Sequence, residues 1–436
     1  MRESNVNKPW LAVVSIMAAL STMLYYPVIH LLNVIGVSIP TVTYTYYNYA
    51  VFGCSVICSA FYLFKVNKGK VSTKASRGLL LFVLITLIYL VFGVFVPEDN
   101  TYFTYFILWA LPALCVGTFL PSLENHMLPK ILEILSFMMC LAAFLASRQY
   151  LSLGIAHLNT LNFGGTNYQG LSYTAAFCIG LELFFVFIAP QECHFLFFAG
   201  TFGKICEIGV SIGAVFAVLV SGGRGGLLVV VLDIIIFLFL LRKKNELSSR
   251  STHIVRIFIV LLVLVFVFIF IRNFVDNGNA LVSDSMSRLL SFLNFTSGDL
   301  TNPTGGRMGI FGRSSVYAES IEVIKNSPVI GSGIFNMKAT NGMPYPHNII
   351  LETWIHAGFL YMVLWVGIFI SLWRKGATIA TKSIGHSWIL FILSYATIFL
   401  SVSGTYLWCS ELWFLIGVLF SFYSDAVAEV NKEQYE

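Results

Sequence analysis

Charge is scarce in this chain: 11% of its 436 residues are charged, 57% are hydrophobic, and the mean hydropathy is +0.82. So little charge cannot clothe a water-facing surface, which excludes a soluble globular protein and puts most of the chain in lipid. The external loops lack an Asp-x-Asp or comparable carboxylate cluster, so metal-dependent transfer is not expected and no metal or other cofactor is assigned. The eight cysteines are scattered and fall mostly inside apolar runs. Even Cys54 and Cys58, at helical spacing, read as packing, with no disulfide or zinc framework. Aromatics and basic residues nowhere interleave along a groove, so the formal net charge of +5 gives no reason to expect nucleic acid. No inverted internal repeat is visible, which weakens a carrier reading. The first apolar run has no small-residue cleavage site after it and reads as a span rather than a removed signal peptide.

What the chain has is long apolar runs. A bilayer core of about 30 Å needs roughly 20 apolar residues per helical span. Runs of that length occur at about 9–29, 42–64, 78–96, 101–120, 128–147 and 170–189. Others follow at about 203–220, 223–241, 253–271, 349–373, 386–403 and 405–424. The expected fold is therefore all-α and polytopic, with about twelve transmembrane helices. Cytoplasmic loops retain Lys and Arg. Three loops do so: Lys65 to Arg77, Arg242 to Arg256, and Arg374, Lys375 and Lys382. Twelve spans put all three on one side with both termini, and the acidic Pro97-Glu98-Asp99 turn on the other.

The chain then divides into residues 1–271 with nine spans, an extracytoplasmic loop over 272–348, and residues 349–436 with three spans and a short tail. Long loops are usually functional or disordered. Here Val316, Tyr317, Ile321, Val323 and Ile324 alternate at helical spacing with Ser315, Glu319, Glu322 and Lys325, which predicts an amphipathic helix from Arg313 to Asn326. Gly305 and Gly306 mark a turn before it, and Pro328, Gly331 and Gly333 end it. A smaller external segment from Arg148 to Gln169 carries Gly164, Gly165 and Asn167.

Two constellations on the outer side are candidates for chemistry. Ser221-Gly222-Gly223-Arg224-Gly225-Gly226 lies between two spans, where a helix N-terminus, glycines and a permanent charge together suit a phosphate or diphosphate. The bland reading is an arginine snorkelling beside packing glycines. Pro344-Tyr345-Pro346-His347-Asn348 opens the tenth span, with Asn348 as a cap and His347 at the membrane edge as a candidate general base. A lone histidine at a helix start is more often structural. Arg307 and Arg313 would be ordinary surface residues alone, and gain weight only beside Arg224 and His347. Glu352, one turn on, is a candidate for orienting His347. Inside the spans Glu182, Lys204, Glu207, Asp233 and Glu411 read as structural contacts, with Lys204 and Glu207 expected to pair. From the residues alone, this supports handling of a phosphorylated lipid at the outer leaflet.

Four segments resemble the O-antigen polymerase and O-antigen ligase superfamily of bacterial membrane glycosyltransferases, over roughly residues 160–365. Val220 to Leu228 resembles its small-Arg-Gly segment, with Gly223 where serine is common. Arg313, Tyr317, Pro328, Gly331 and Gly333 resemble its loop pattern, with Tyr317 where tryptophan is usual. Pro346-His347-Asn348, followed by Leu351 and Gly358, resembles its Pro-His-Asn opening of a span, and Gly165-Thr166-Asn167 a weaker external segment. The resemblance implies metal-independent, inverting transfer from an undecaprenyl-diphosphate-linked oligosaccharide. Arg224 and Arg313 would hold the leaving diphosphate, with Arg307 adding charge, and His347 would take the proton from the attacking hydroxyl. Asn348, Glu352, Tyr317, Asn167 and Tyr345 would support them. It implies a multi-pass protein of the bacterial cytoplasmic membrane, with membrane lipid as a partner and a chain-length regulator as a candidate one. A polymerase is favoured over a ligase because no soluble domain is added; a flippase is the third reading, and the long patterned loop argues against it.

Overall fold

The computed structural model describes residues 8–40, 42–66, 75–93, 100–120, 123–153, 162–245, 314–334 and 345–422. It is an all-α membrane protein. Among the described residues the only β pairing is an isolated bridge between Phe163 and Thr166. Among the described residues seven helices are long and apolar enough to cross a membrane, or eight if the bent N-terminal pair is one span.

That pair is α1 (Pro9–Ala19) and α2 (Ser21–Val34), where a single span was expected. The helix breaks at Leu20, whose backbone leaves helical geometry. Next come α3 (Thr43–Phe61) and α4 (Ala75–Gly93), then α5 (Asn100–Tyr105), continued through a π-turn into α6 (Leu111–Phe119). Then α7 (Met127–Leu153), α8 (Tyr168–Phe187), α9 (Thr201–Ser221) and α10 (Arg224–Asn245) follow the expected spans closely. Because α7 runs past Arg148, the external segment after it is shorter than the sequence suggests. Three further expected spans appear as shorter apolar helices, Ser76–Val91, Phe103–Phe119 and Ser410–Ser421, and the run at 253–271 lies outside the described residues, so the expected count of twelve is not reached here.

The amphipathic helix exists as α11 (Ser314–Asn326). Val316, Val323 and Ile324 are buried as expected, but Ile321 is exposed and Ser320 takes a buried place. That position tolerates serine because its hydroxyl donates back to the Val316 carbonyl at 2.6 Å. The chain closes with α12 (Ile349–Lys382), α13 (Trp388–Val402) and α14 (Ser410–Phe422). Arg374, Lys375 and Lys382 therefore ride on the last turns of α12 and not in a loop. The aliphatic stem of Lys375 reaches along apolar surface, with its ammonium 4.1 Å from the Phe420 ring centre and donating to the Leu419 carbonyl.

Helix α8 is central, packing against α7, α9, α10 and α13. Of its spanning window 78% is buried inside the protein, against 28% for α3. Helices α6 and α14 approach closely through Gly117 and Gly417, where apolar helices in lipid gain chiefly from close van der Waals contact. A Cβ on Gly117 would stand 2.4 Å from the Phe414 carbonyl oxygen, and one on Gly417 2.7 Å from that of Leu114.

The expected Lys204–Glu207 pair is not made. Both carboxyl oxygens of Glu207, like those of Glu182, lack a hydrogen-bond partner among the described residues. The contact that does form there joins Glu133 to His194 Nδ1 at 2.5 Å, and Glu133 also accepts from the Phe195 amide at 2.6 Å.

Replacing Gly117 by Val is expected to cost about 1–3 kcal/mol, the usual cost of overpacking. Gly209→Ala, with nothing within 4 Å of its added methyl, should leave stability nearly unchanged. Thermal unfolding in detergent followed by size-exclusion chromatography measures both.

Candidate active site

The site is built where several helix ends meet. Pro346 is buried, and Asn348 caps α12 by accepting from the amides of Ile350 at 3.0 Å and Leu351 at 3.3 Å. Between them His347 has a φ of +57°, the only positive φ at a non-glycine residue among those described. Left-handed backbone at such a residue costs of order 1–3 kcal/mol and persists only where the surroundings enforce it.

The half-buried His347 ring is held by Nδ1 at 2.6 Å from the carbonyl oxygen of Ser403. A carbonyl only accepts, so Nδ1 carries the proton and the neutral ring keeps its lone pair on Nε2. Ser403 belongs to a connection, Ser403–Cys409, that the sequence suggested was a single glycine between spans. It is folded inward: Thr405 and Tyr406 are buried. Thr405 donates to Glu352 on the first turn of α12. The Tyr406 hydroxyl meets His356 Nδ1 at 2.7 Å and accepts from Tyr361 at 3.3 Å, while its carbonyl accepts from Trp413 Nε1 at 2.8 Å. Burial pushes the Tyr406 phenol well above its ordinary value, so it remains a neutral hydrogen-bonding group. Glu352 was expected to orient His347. Its bond from Thr405 instead secures the loop that carries the imidazole's acceptor.

The arginine-bearing turn reaches the same loop. Gly222 ends α9 in left-handed conformation, with φ +63°, and Arg224 opens α10. Ser172 of α8 donates to the Gly223 carbonyl at 3.1 Å, and its Oγ fills the space a Cβ at 223 would need, at 2.3 Å. Beside it, Tyr173 lies so close to Gly225 that a Cβ there would meet the phenol oxygen at 1.8 Å. The Tyr173 hydroxyl donates to Ser403 Oγ at 2.7 Å. Three contacts thus join the start of α10 to His347, through Tyr173 and Ser403. Tyr173, Ser403 and Thr405 were not identified from the sequence.

Of the other expected residues, Asn167 caps α8, accepting from Gln169 N at 3.0 Å and Gly170 N at 3.4 Å. Tyr345 meets the His347 ring edge-on at 4.5 Å between centres. Tyr317 is half-buried on α11. Arg307 and Arg313 lie outside the described residues.

The segment after α11 fixes the rear of the site. Helix α12 is broken at Ala357 and at Gly358, which has φ +80°. The carbonyls of Ile355 and His356, orphaned by the break, accept from the amides of Ser332 at 2.6 Å and Gly333 at 3.2 Å. In return Pro328 accepts from Phe359 N at 3.0 Å and Trp354 Nε1 at 2.8 Å. This interlock requires bare backbone, because a Cβ on Gly358 would lie 1.8 Å from the Val329 carbonyl oxygen. Gly358→Ala should therefore destabilise by more than about 1 kcal/mol, the scale of alanine forced to positive φ. Gly367→Ala on the same helix has open space and should not. Limited proteolysis at the 327–334 segment, which should quicken only in the first variant, checks this.

A half-buried arginine at a helix N-terminus and an imidazole whose Nδ1 is held by a carbonyl are thus tied to one inward-folded connection. Residues 209–366 match the family model described as O-Antigen ligase. That range contains Arg224 and His347, and the match supports the O-antigen polymerase and ligase superfamily. No curated protein matches the chain.

Proposed function

We propose that this membrane protein of the O-antigen polymerase and ligase type is the polymerase of an undecaprenyl-diphosphate-linked polysaccharide, acting at the outer face of the cytoplasmic membrane. The observation that carries the reading is the linkage of His347, through Ser403 and Tyr173, to the helix start that bears Arg224. A base must lie within hydrogen-bond reach of the attacking hydroxyl, on the face of the sugar opposite the leaving group, with positive charge at the leaving group.

In this reading His347 Nε2 takes the proton of a sugar hydroxyl as its oxygen attacks the anomeric carbon. The bond from that carbon to the diphosphate oxygen breaks, and the lipid diphosphate leaves with the electron pair. Arg224 at the α10 N-terminus, assisted by Arg313 and Arg307, neutralises the developing charge. One in-line displacement inverts the anomeric centre. The residues Asn348, Tyr345, Tyr317 and Asn167 act in support: the first caps the helix of the base, the second touches its ring. Glu352 supports the base through Thr405.

A second reading, a ligase passing the same glycan to lipid A core or another acceptor, is favoured by the description of the matching family model. Purified protein given lipid-linked repeat units alone should lengthen them if it is a polymerase, and remain idle until a core acceptor is added if it is a ligase. A flippase would form no glycosidic bond in either case. Both His347→Ala and Arg224→Ala should lower transfer at least about a hundredfold, the lower scale of losing a general base or a charge-stabilising donor, with insertion unchanged. Near-normal product from either variant removes that residue from the mechanism.

A further inference from the structure

The His347 ring has two kinds of neighbour. Through Ser403 and Tyr173 it faces the arginine-bearing turn, and through Tyr345 it opens onto a succession of aromatic rings. Tyr345 lies 5.6 Å from Trp408, which lies 5.7 Å from Tyr105 and 6.1 Å from Trp109. Tyr105 stacks on Trp109 at 4.8 Å. Trp109 then lies 6.4 Å from Tyr44, which stacks on Tyr26 at 5.8 Å.

We infer that this aromatic track, from Tyr345 past Trp408 and Tyr105 to Tyr44 and Tyr26, is a binding site for the acceptor glycan. The inference rests on the glycosyl-transfer reading and assigns the acceptor's place within it. The C–H faces of a pyranose ring carry slight positive charge and pack on the negative face of an aromatic π-system. Steps of 4.8–6.4 Å between successive rings suit one sugar after another. The charged diphosphate belongs beside the arginine, and the attacking sugar is assigned to the rings that meet the base through a separate contact, that of Tyr345 with the His347 ring.

Membrane proteins also carry belts of Tyr and Trp at the interface, each ring standing separately towards headgroups. Tyr46 and Tyr49 on α3 fit that pattern, at 66% and 54% exposed. The track differs, because its rings touch one another, Tyr345, Trp408, Tyr105, Tyr44 and Tyr26 are half-buried, and the succession begins at the candidate base. Within it the indole N–H of Trp109, itself 7% exposed, is buried without a hydrogen-bond partner among the described residues. A sugar hydroxyl is a suitable acceptor for that proton.

The test uses the full chain in detergent and, as probe, the free oligosaccharide released by mild acid from the host's own lipid-linked repeat units. Saturation-transfer NMR on the sugar C–H protons reports binding without catalysis. Trp408→Ala and Tyr105→Ala should each weaken binding about tenfold, the scale of losing an aromatic contact, and the loss should fall on the acceptor KM. Trp408→Phe should recover most of it. Unchanged binding and acceptor KM in whichever alanine variant elutes as folded protein would overturn the inference and leave an ordinary interfacial belt. Normal transfer by His347→Ala would sink the catalytic reading instead, and weakened oligosaccharide binding in the track variants would still support the track.

Discussion

The bond from His347 Nδ1 to the Ser403 carbonyl is the constraint on which the site depends. It removes the ambiguity of an imidazole, which otherwise presents a donor or an acceptor at either nitrogen. It also makes the imidazole answerable to a connection 56 residues further along the chain. That connection must hold its carbonyl still, and it is secured from three directions: Thr405 to Glu352, Tyr406 to His356 and Tyr361, and Ser403 to Tyr173. Buried polar groups in lipid-facing bundles are costly unless satisfied, and here their satisfaction coincides with the holding of one ring.

Glycine does complementary work where backbone must meet backbone or a side chain must press on a turn. At Gly358 and Gly331 two segments of the chain interlock with no room for a Cβ, so the segment after α11 closes a break in α12 by donating amides to its freed carbonyls. The end of the turn of α12 that carries Glu352 and His356 is thereby braced by a second segment of the chain. At Gly223, Gly225 and Gly226 it is Ser172 and Tyr173 of α8 that fill the vacant positions. The departure at Gly223 from the serine usual in the resembling family has a local cause, since the Ser172 hydroxyl already occupies that space.

Much of this was legible in the sequence because lipid imposes a simple rule on span length. Spans α7 to α10 fall within a few residues of their apolar runs, apart from the extended end of α7, and the period of apolar residues revealed α11. Pro346-His347-Asn348 and the glycine-arginine turn stand out because prolines, caps and charges are rare at apolar helix starts. The Ser403–Cys409 connection did not, because apolar character continues on both sides and only Gly404 suggests a turn. The break at Leu20 is carried by an apolar residue and leaves no mark in a hydropathy pattern. The end of α12 was misplaced because Arg374 and Lys375 look like loop residues, although long cationic side chains can stay on a helix and reach past it. Tyr173 is a contact between distant parts of the chain, and spacing along one helix gives no sign of its partner.

The central claim, that the Ser403 carbonyl fixes the proton on Nδ1 of His347 and leaves the ring's lone pair on Nε2, is open to direct measurement. The ¹⁵N spectrum of histidine-labelled protein, with His347 assigned by its loss in His347→Gln, should show Nδ1 protonated and Nε2 bare at a pH where the ring is neutral. A neutral His347 with its proton on Nε2 would contradict the account.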